Sequence, residues 1–130
     1  MADEGKVKVL AVDDSNFMLA VVSSFLKDSR FELVATAKNG KEAMDQYRQH
    51  RPDVVLLDIV MPGETGIDTL SQLLTVDAKA RVIMVSSLGT EQVVLDCLKR
   101  GAKNFLQKPF EKEDLIGLLE KVLQEIGGGS

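Results

Sequence analysis

The sequence predicts an α/β domain built as an open, doubly wound, five-stranded parallel sheet with helices on both faces. The chain has 130 residues, which is the length of one domain and about half of what a closed eight-stranded barrel needs. Five short apolar runs alternate with longer segments whose apolar residues recur every three or four positions. Parallel strands need such helical crossovers, and strands that are apolar on both faces lie between two helical layers.

The elements follow one another in a regular β-α order. The five predicted strands run from Val7 to Val12, Phe31 to Ala37, Val54 to Leu57, Val82 to Ser86 and Asn104 to Gln107. Four predicted helices lie near Asn16 to Ser29, Gly40 to Arg51, Gly66 to Asp77 and Gly89 to Arg100. The last helix carries an apolar stripe, which consists of Leu115, Leu118, Leu119, Val122 and Ile126. A stripe of this width has to pack against another element.

Local signals indicate where some helices begin and end. Asn39 and Glu42 are spaced as a capping box, in which both side chains bond free amides at the start of a helix. Pro52 and Gly101 are typical stop signals, since one disfavours helical backbone before it and the other tolerates a left-handed residue. We expect one folded domain over residues 1–126, followed by a flexible Gly/Ser tail over 127–130.

The composition and charge of the chain exclude several classes of function. The formal net charge is -4, the wrong sign for binding along a phosphate backbone, so we expect no nucleic-acid partner. No apolar run approaches the roughly 20 residues that span a bilayer, and the polar start of the chain lacks a secretory signal. The single cysteine, Cys97, cannot form an internal disulfide. We therefore expect a cytoplasmic monomer without a membrane partner.

Polar residues close the predicted strands. Asp13 and Asp14 follow the first strand, Asp58 the third, Ser86 ends the fourth, and Lys108 follows the fifth. Functional groups of open α/β sheets collect at this edge. Carboxylates 4 Å apart repel by about 1 kcal/mol per pair even in water. Lys108 and a hard cation such as Mg2+ would balance them, which indicates a metal and phosphoryl site.

The same residue types suit phosphoryl transfer. An aspartate has a reference pKa of about 3.9, so Asp58 is ionised at neutral pH and attacks phosphorus without a general base. Mg2+, the ammonium of Lys108 and the hydroxyl of Ser86 would stabilise the charge that develops on the transferred oxygens.

These residues form a known pattern. It consists of Asp13-Asp14, Asp58-Ile59-Val60-Met61-Pro62, Gly66, Ser86 and Lys108-Pro109-Phe110. With these motifs at this spacing over almost the whole chain, the sequence resembles the receiver domain of bacterial two-component response regulators, and is most similar to the stand-alone, CheY-like type. The resemblance implies a flavodoxin-like (βα)5 fold with strand order 2-1-3-4-5.

The resemblance also implies a role for each residue. Asp58 would accept the phosphoryl group, and Asp13 and Asp14 would bind Mg2+ with it. Ser86 would sense the phosphate, Lys108 would balance its charge, and Phe105 would be the switching aromatic residue. The domain would catalyse its own phosphorylation and dephosphorylation without turnover on free substrates.

Partners follow from the same resemblance. A histidine kinase or phosphotransfer protein would supply the phosphoryl group. A downstream protein, in chemotaxis or related signalling, would bind the face formed by the fourth helix, the fifth strand and the fifth helix. The fourth helix carries more apolar residues than one stripe needs, which indicates either one or two scattered exposed side chains or a docking patch.

Two features depart from the family's usual pattern. Ser87 stands where the residue after the switch hydroxyl is usually Ala or Gly. Val60 and Leu88, each two positions beyond a site residue, are apolar where polar side chains help to place the hydrolytic water in some relatives. Slow autodephosphorylation is the expected consequence.

Other interpretations weigh less. A degenerate receiver could act as a scaffold without phosphorylation, but the intact site argues against it. A flavodoxin-like binder of a phosphorylated small molecule would be repelled by Asp13 and Asp14, and an aspartyl phosphatase needs an acid where Val60 stands. Taken singly, the acids could cap helices, Phe105 could belong to the core, and Cys97 and His50 are most simply structural.

Overall fold

The structure is a computed structural model, and it describes residues 6–128. One sheet contains five parallel strands in the order β2-β1-β3-β4-β5. They are β1 (Val7–Val12), β2 (Phe31–Ala37), β3 (Val54–Leu57), β4 (Val82–Ser86) and β5 (Asn104–Gln107). The predicted strands are confirmed, and so is the strand order that the resemblance implied.

The helices agree with the predicted segments but differ at their ends. They are α1 (Asn16–Leu26), α2 (Gly40–His50), α3 (Gly66–Val76), α4 (Glu91–Lys99) and α5 (Lys112–Gly128). Within residues 6–128 we find no helix whose length and apolar character would let it cross a membrane. Of the predicted tail, 127 and 128 belong to α5 and residues 129 and 130 lie outside the described residues, so the tail stays a prediction.

A capping side chain and a left-handed residue explain two of these differences. The helix α4 begins at Glu91 rather than near Gly89 because Thr90 is its N-cap, with Oγ1 accepting from the amide of Val93 at 3.3 Å. The helix α1 ends at Leu26 rather than near Ser29, since Asp28 has a left-handed backbone with a φ of 61°.

The predicted cap and stop signals act at α2 and α4. Asn39 Oδ1 accepts from the amide of Glu42 at 2.8 Å. Glu42 Oε1 accepts from the amide of Lys38 at 2.9 Å, one residue earlier than in a standard capping box. Arg51, before Pro52, and Gly101, after α4, have positive φ values of 49° and 113°, as left-handed helix ends do.

Two apolar cores lie on opposite faces of the sheet. The core on the α1 and α5 face includes Leu19, Leu26, Leu115, Leu119 and Val122. The core on the α2, α3 and α4 face includes Tyr47, Leu70, Leu73 and Cys97. Successive strand residues such as Val9 and Leu10 belong to different cores, because side chains alternate across a sheet. Doubly wound packing and the structural role of Cys97 are thus confirmed.

Candidate functional site

Three aspartates meet at the carboxyl edge of the sheet. The strands β1 and β3 are neighbours, with Val12 paired to Leu57, so the residues that follow them, Asp13 and Asp58, lie side by side. The amide of Asp58 extends the pairing by donating to Val12 O at 3.0 Å. One carboxylate oxygen from each of Asp13, Asp14 and Asp58 lies within 4.8 Å of the others. These three oxygens are close enough to share one cation.

The three carboxylates differ in exposure. Asp13 and Asp58 are buried, with 4% and 5% solvent exposure, whereas Asp14 is exposed. Asp13 Oδ1 accepts from the amide of Ser15 at 3.0 Å, and Asp58 Oδ1 accepts from the amide of Val60 at 3.4 Å. The buried pair therefore forms the floor of the site, and Asp14 stands at its solvent side.

Lys108 reaches this pair from the edge of the sheet. It follows β5, and its side chain crosses the end of β4 to reach both buried acids. Its Nζ lies 2.7 Å from Asp13 Oδ2 and 3.4 Å from Asp58 Oδ2. The ammonium is mostly shielded from water, with 18% of the side chain exposed. Burial makes this charge pairing stronger than at the surface.

Burial and neighbouring charges shift two pKa values in the site. Burial raises the pKa of Asp58 above its ordinary value, Lys108 lowers it, and Asp13 raises it. Burial alone would lower the pKa of Lys108, but the hydrogen bond to Asp13 and the attraction of both acids outweigh burial and raise it. Lys108 is thus a permanent cation at neutral pH.

One ammonium does not balance three carboxylates. The acids are oxygen donors of the kind that hard divalent cations prefer, and Asp14 is exposed to solvent. The geometry and chemistry of Asp13, Asp14 and Asp58 therefore fit a metal ion, whose charge would offset both the burial and the repulsion by Asp13 that raise the pKa of Asp58.

Ser86 and Phe105 lie beside the charged cluster. Ser86 is buried at the end of β4, between the strands that lead to Asp58 and Lys108. Its Oγ accepts from the amide of Leu88 at 3.2 Å, and its carbonyl accepts from the amide of Lys108 at 3.0 Å. Phe105 is half-buried in β5 and packs against the α2, α3 and α4 core. The structure thus brings the acids and Lys108 together, while the hydroxyl of Ser86 bonds within its own loop.

Sequence reasoning missed a hairpin that shapes the loop after Asp58. Val60–Met61 and Glu64–Thr65 pair as two short antiparallel strands. The turn between them places Gly63 at a φ of 87°, which favours glycine. The Pro62-Gly63 dipeptide is a turn signal that could have predicted the hairpin.

The hairpin also contacts α2 through Glu64. Thr69 Oγ1 donates to Glu64 Oε2 at 3.2 Å. The carboxylate lies so close to Gly40 that a Cβ there would overlap it. A Cβ at the first residue of α2 would therefore displace the carboxylate of Glu64, and the contact joins the site loop to the neighbouring helix.

Several apolar side chains near the site and on α4 are exposed. Val60 and Leu88, the two apolar residues where some relatives have polar ones, are 54% and 46% exposed. Leu95 and Leu98 on α4 are 49% and 39% exposed. The expectation that one or two apolar residues of α4 face solvent is confirmed.

Comparison with known proteins agrees with this geometry. The pattern of the response regulator receiver domain matches residues 9–120. The chain is 44% identical to the chemotaxis protein CheY of Listeria monocytogenes over 115 residues, which cover 88% of this chain and 97% of that protein. It is 40% identical to the chemotaxis protein CheY of Bacillus subtilis over 116 residues, which cover 89% and 97% of the two chains.

A solved structure of a complex gives a further match. The CheX-CheY-BeF3-Mg2+ complex from Borrelia burgdorferi contains a chain 40% identical to this one. The two superpose with a TM-score of 0.88 over 95% of this chain and 94% of that one. Since the family pattern covers most of the sequence and these relatives align over nearly their whole length, this chain belongs to the family of response regulator receiver domains.

Proposed function

We propose that this receiver domain accepts a phosphoryl group on Asp58 while Asp13, Asp14 and Asp58 hold Mg2+. The observation that carries the proposal is the cluster itself, in which three carboxylate oxygens lie within 4.8 Å of one another and Lys108 lies 2.7 Å from one of the buried acids. Lys108 alone leaves the cluster with a net negative charge, so a divalent cation would stabilise it and make it suited to a phosphoryl group.

The transfer uses the residues at the carboxyl edge. A carboxylate oxygen of Asp58 attacks phosphorus in line with the leaving nitrogen of a donor phosphohistidine, so a P–O bond forms as the P–N bond breaks. Lys108, now hydrogen-bonded to Asp13, would turn towards the transferred oxygens and stabilise their charge. Mg2+ would supply further neutralising charge at the same oxygens.

A histidine kinase or phosphotransfer protein is the proposed donor. The family membership and the names of the relatives favour signalling in chemotaxis, as with the CheY proteins of Listeria and Bacillus. The buried free thiol of Cys97 fits a reducing compartment, and we place this function in the cytoplasm. The domain would act as a monomer and without nucleic acid, as its net charge of -4 favours.

Phosphorylation would then change a protein-binding surface. Ser86 would move towards the phosphoryl group and leave space for Phe105, which biases an existing two-state equilibrium. The output surface would be the face of α4, β5 and α5, where Leu95 and Leu98 are exposed. A scaffold that works without phosphorylation is not favoured, because the acids and Lys108 are all present and in contact.

Intact-mass measurement tests the acceptor directly. The protein is incubated with Mg2+ and acetyl phosphate, and one added phosphoryl group is expected. The addition should be absent in Asp58→Asn and in the presence of a chelator. Asp45→Asn is the matched control, because Asp45 forms a surface ion pair with Lys41 on α2 and should not affect the reaction. Modification that persists in Asp58→Asn would exclude Asp58 as the acceptor.

A further inference from the structure

Two adjacent residues at the end of β5 reach in different directions. Lys108 reaches Asp13 and Asp58, as described above. Gln107, the last residue of the strand, instead reaches the loop between β4 and α4, and its Nε2 donates to Ser87 O at 3.2 Å. Side chains of successive residues in an extended segment point to opposite sides. The end of β5 therefore contacts both the charged cluster and the loop between β4 and α4.

The same side chain makes a second contact with this loop. Gly89 lies directly beneath the amide group of Gln107. A Cβ at Gly89 would overlap Oε1 and Cδ of Gln107 and would lie 2.9 Å from Nε2. The side-chain amide of Gln107 thus packs against Gly89 and donates to the carbonyl of Ser87, so Gln107 contacts the loop at both positions.

The loop that Gln107 contacts also contains the hydrogen bond between Ser86 and Leu88. The hydroxyl of Ser86 accepts from the amide of Leu88 at 3.2 Å. For this hydroxyl to donate to a phosphoryl oxygen and follow it, the amide of Leu88 has to lose its partner or move with it. Leu88 lies between Ser87 and Gly89, the two residues that Gln107 contacts, so the contacts of Gln107 oppose that movement.

We propose that Gln107 is a positioning residue that holds the β4–α4 loop in the arrangement in which the hydroxyl of Ser86 accepts from the amide of Leu88. The proposal rests on the proposed function, because it concerns the movement of Ser86 that phosphorylation requires. A contact made in one of two states stabilises that state and weakens any ligand that needs the other. Gln107 therefore lowers the apparent affinity for a phosphoryl group.

Binding of beryllofluoride in the presence of Mg2+ measures this effect, because beryllofluoride mimics a phosphoryl group on a carboxylate. Gln107→Met keeps the length of the side chain and removes the donor. One neutral hydrogen bond corresponds to about two- to tenfold in an equilibrium constant, so Gln107→Met should bind beryllofluoride about two- to tenfold more tightly. Gln92→Met, on the exposed side of α4, is the matched control and should bind as the wild type does.

Gly89→Ala tests the contact from the other side. Its methyl group should displace the amide of Gln107 and so reproduce the effect of Gln107→Met. The double variant should bind no more tightly than either single variant, because both remove the same contact. Affinity for Mg2+ alone should stay unchanged in all three, since neither residue touches the acids.

The opposite results would overturn the proposal. Unchanged or weaker beryllofluoride binding by Gln107→Met is one such result, and effects of the two substitutions that multiply in the double variant are another. Amide hydrogen exchange gives a readout that needs no ligand: Leu88 should exchange about two- to tenfold faster in Gln107→Met. If wild-type protein failed to bind beryllofluoride, the proposed function would fall, whereas unchanged exchange at Leu88 would refute only the role of Gln107.

Discussion

Replacing Gly66 with alanine tests how tightly the loop after Asp58 is built. Gly66 is the first residue of α3, and its amide donates to Ile59 O at 2.7 Å. A Cβ at this position would overlap the carbonyl oxygen of Asp58. It would also lie 2.7 Å from the carbonyl carbon of Asp58 and 2.9 Å from Cα of Ile59. All three atoms belong to the backbone that carries the proposed acceptor carboxylate.

The size of the effect follows from these distances. Nonbonded carbon atoms pack at about 3.5 to 4.0 Å, so the backbone around Asp58 would have to move by roughly an ångström. Forcing an extra methyl group into a packed site costs about 1 to 3 kcal/mol. The gain from replacing glycine by alanine is about 0.4 to 1 kcal/mol and offsets part of that cost. Gly66→Ala should therefore lower the free energy of unfolding by about 1 to 2 kcal/mol.

Two measurements check this prediction. Urea unfolding gives the change in stability, and intact mass after incubation with acetyl phosphate gives the rate of phosphorylation, which should fall because Asp58 moves away from Lys108 and the other acids. Gly117→Ala is the matched control. No atom lies within 4 Å of its Cβ position in α5, so this variant should gain about 0.5 to 1 kcal/mol. Wild-type stability and wild-type phosphorylation in Gly66→Ala would refute the reasoning.

Three further variants should change the rate of phosphate release or the stability of the protein. Val60→Asn combined with Leu88→Glu should release phosphate faster than wild type, as followed by intact mass, and an unchanged rate would count against the slow dephosphorylation expected from the apolar pair. Asp58→Asn should stabilise the metal-free protein at pH 7 by on the order of 1 kcal/mol, because it removes a charge whose burial costs more than the attraction of Lys108 returns. Burial raises the pKa of Asp58, so the folded state binds this proton more tightly than the unfolded state does. The stability of the wild type therefore falls as the pH rises above the ordinary pKa of an aspartate. In denaturation curves, the difference in stability between the wild type and Asp58→Asn should disappear in acid. Tyr47→Phe should lose about 1 kcal/mol with the hydrogen bond to Asp77. Burial and that bond raise the pKa of Tyr47 to about 12, so the advantage of wild type should be complete below pH ~10 and fade as the pH rises further.

Much of the fold was predictable because its signals are local. Each strand is a short apolar run, and each agrees with the structure at both ends, as Val82–Ser86 does. Helix ends were less predictable, since several polar residues near each end can act as a cap. Thr90 caps α4, although the sequence predicted that the helix would begin near Gly89. The site acids were predictable because the rule that polar residues gather at the carboxyl edge of parallel strands needs only the strand ends.

Other features needed the assembled molecule. The contact of Gln107 with Gly89 joins residues from different elements, and neither residue has an unusual neighbourhood in the sequence. The packing of Glu64 against Gly40 is of the same kind. Such contacts depend on how two loops approach each other, which periodicity does not describe.

The order of amino acids alone therefore determines which side chains reach one edge of the sheet, because strand length and the alternation of side chains are local properties. Only the tertiary structure decides their distances and charges. Lys108 meets Asp13 across 95 positions of sequence and Asp58 across 50, and its pairing depends on the order of the strands and on burial. Burial also sets the direction of the pKa shift of Asp58, since the cost of removing a charge from water depends on everything that is packed around it.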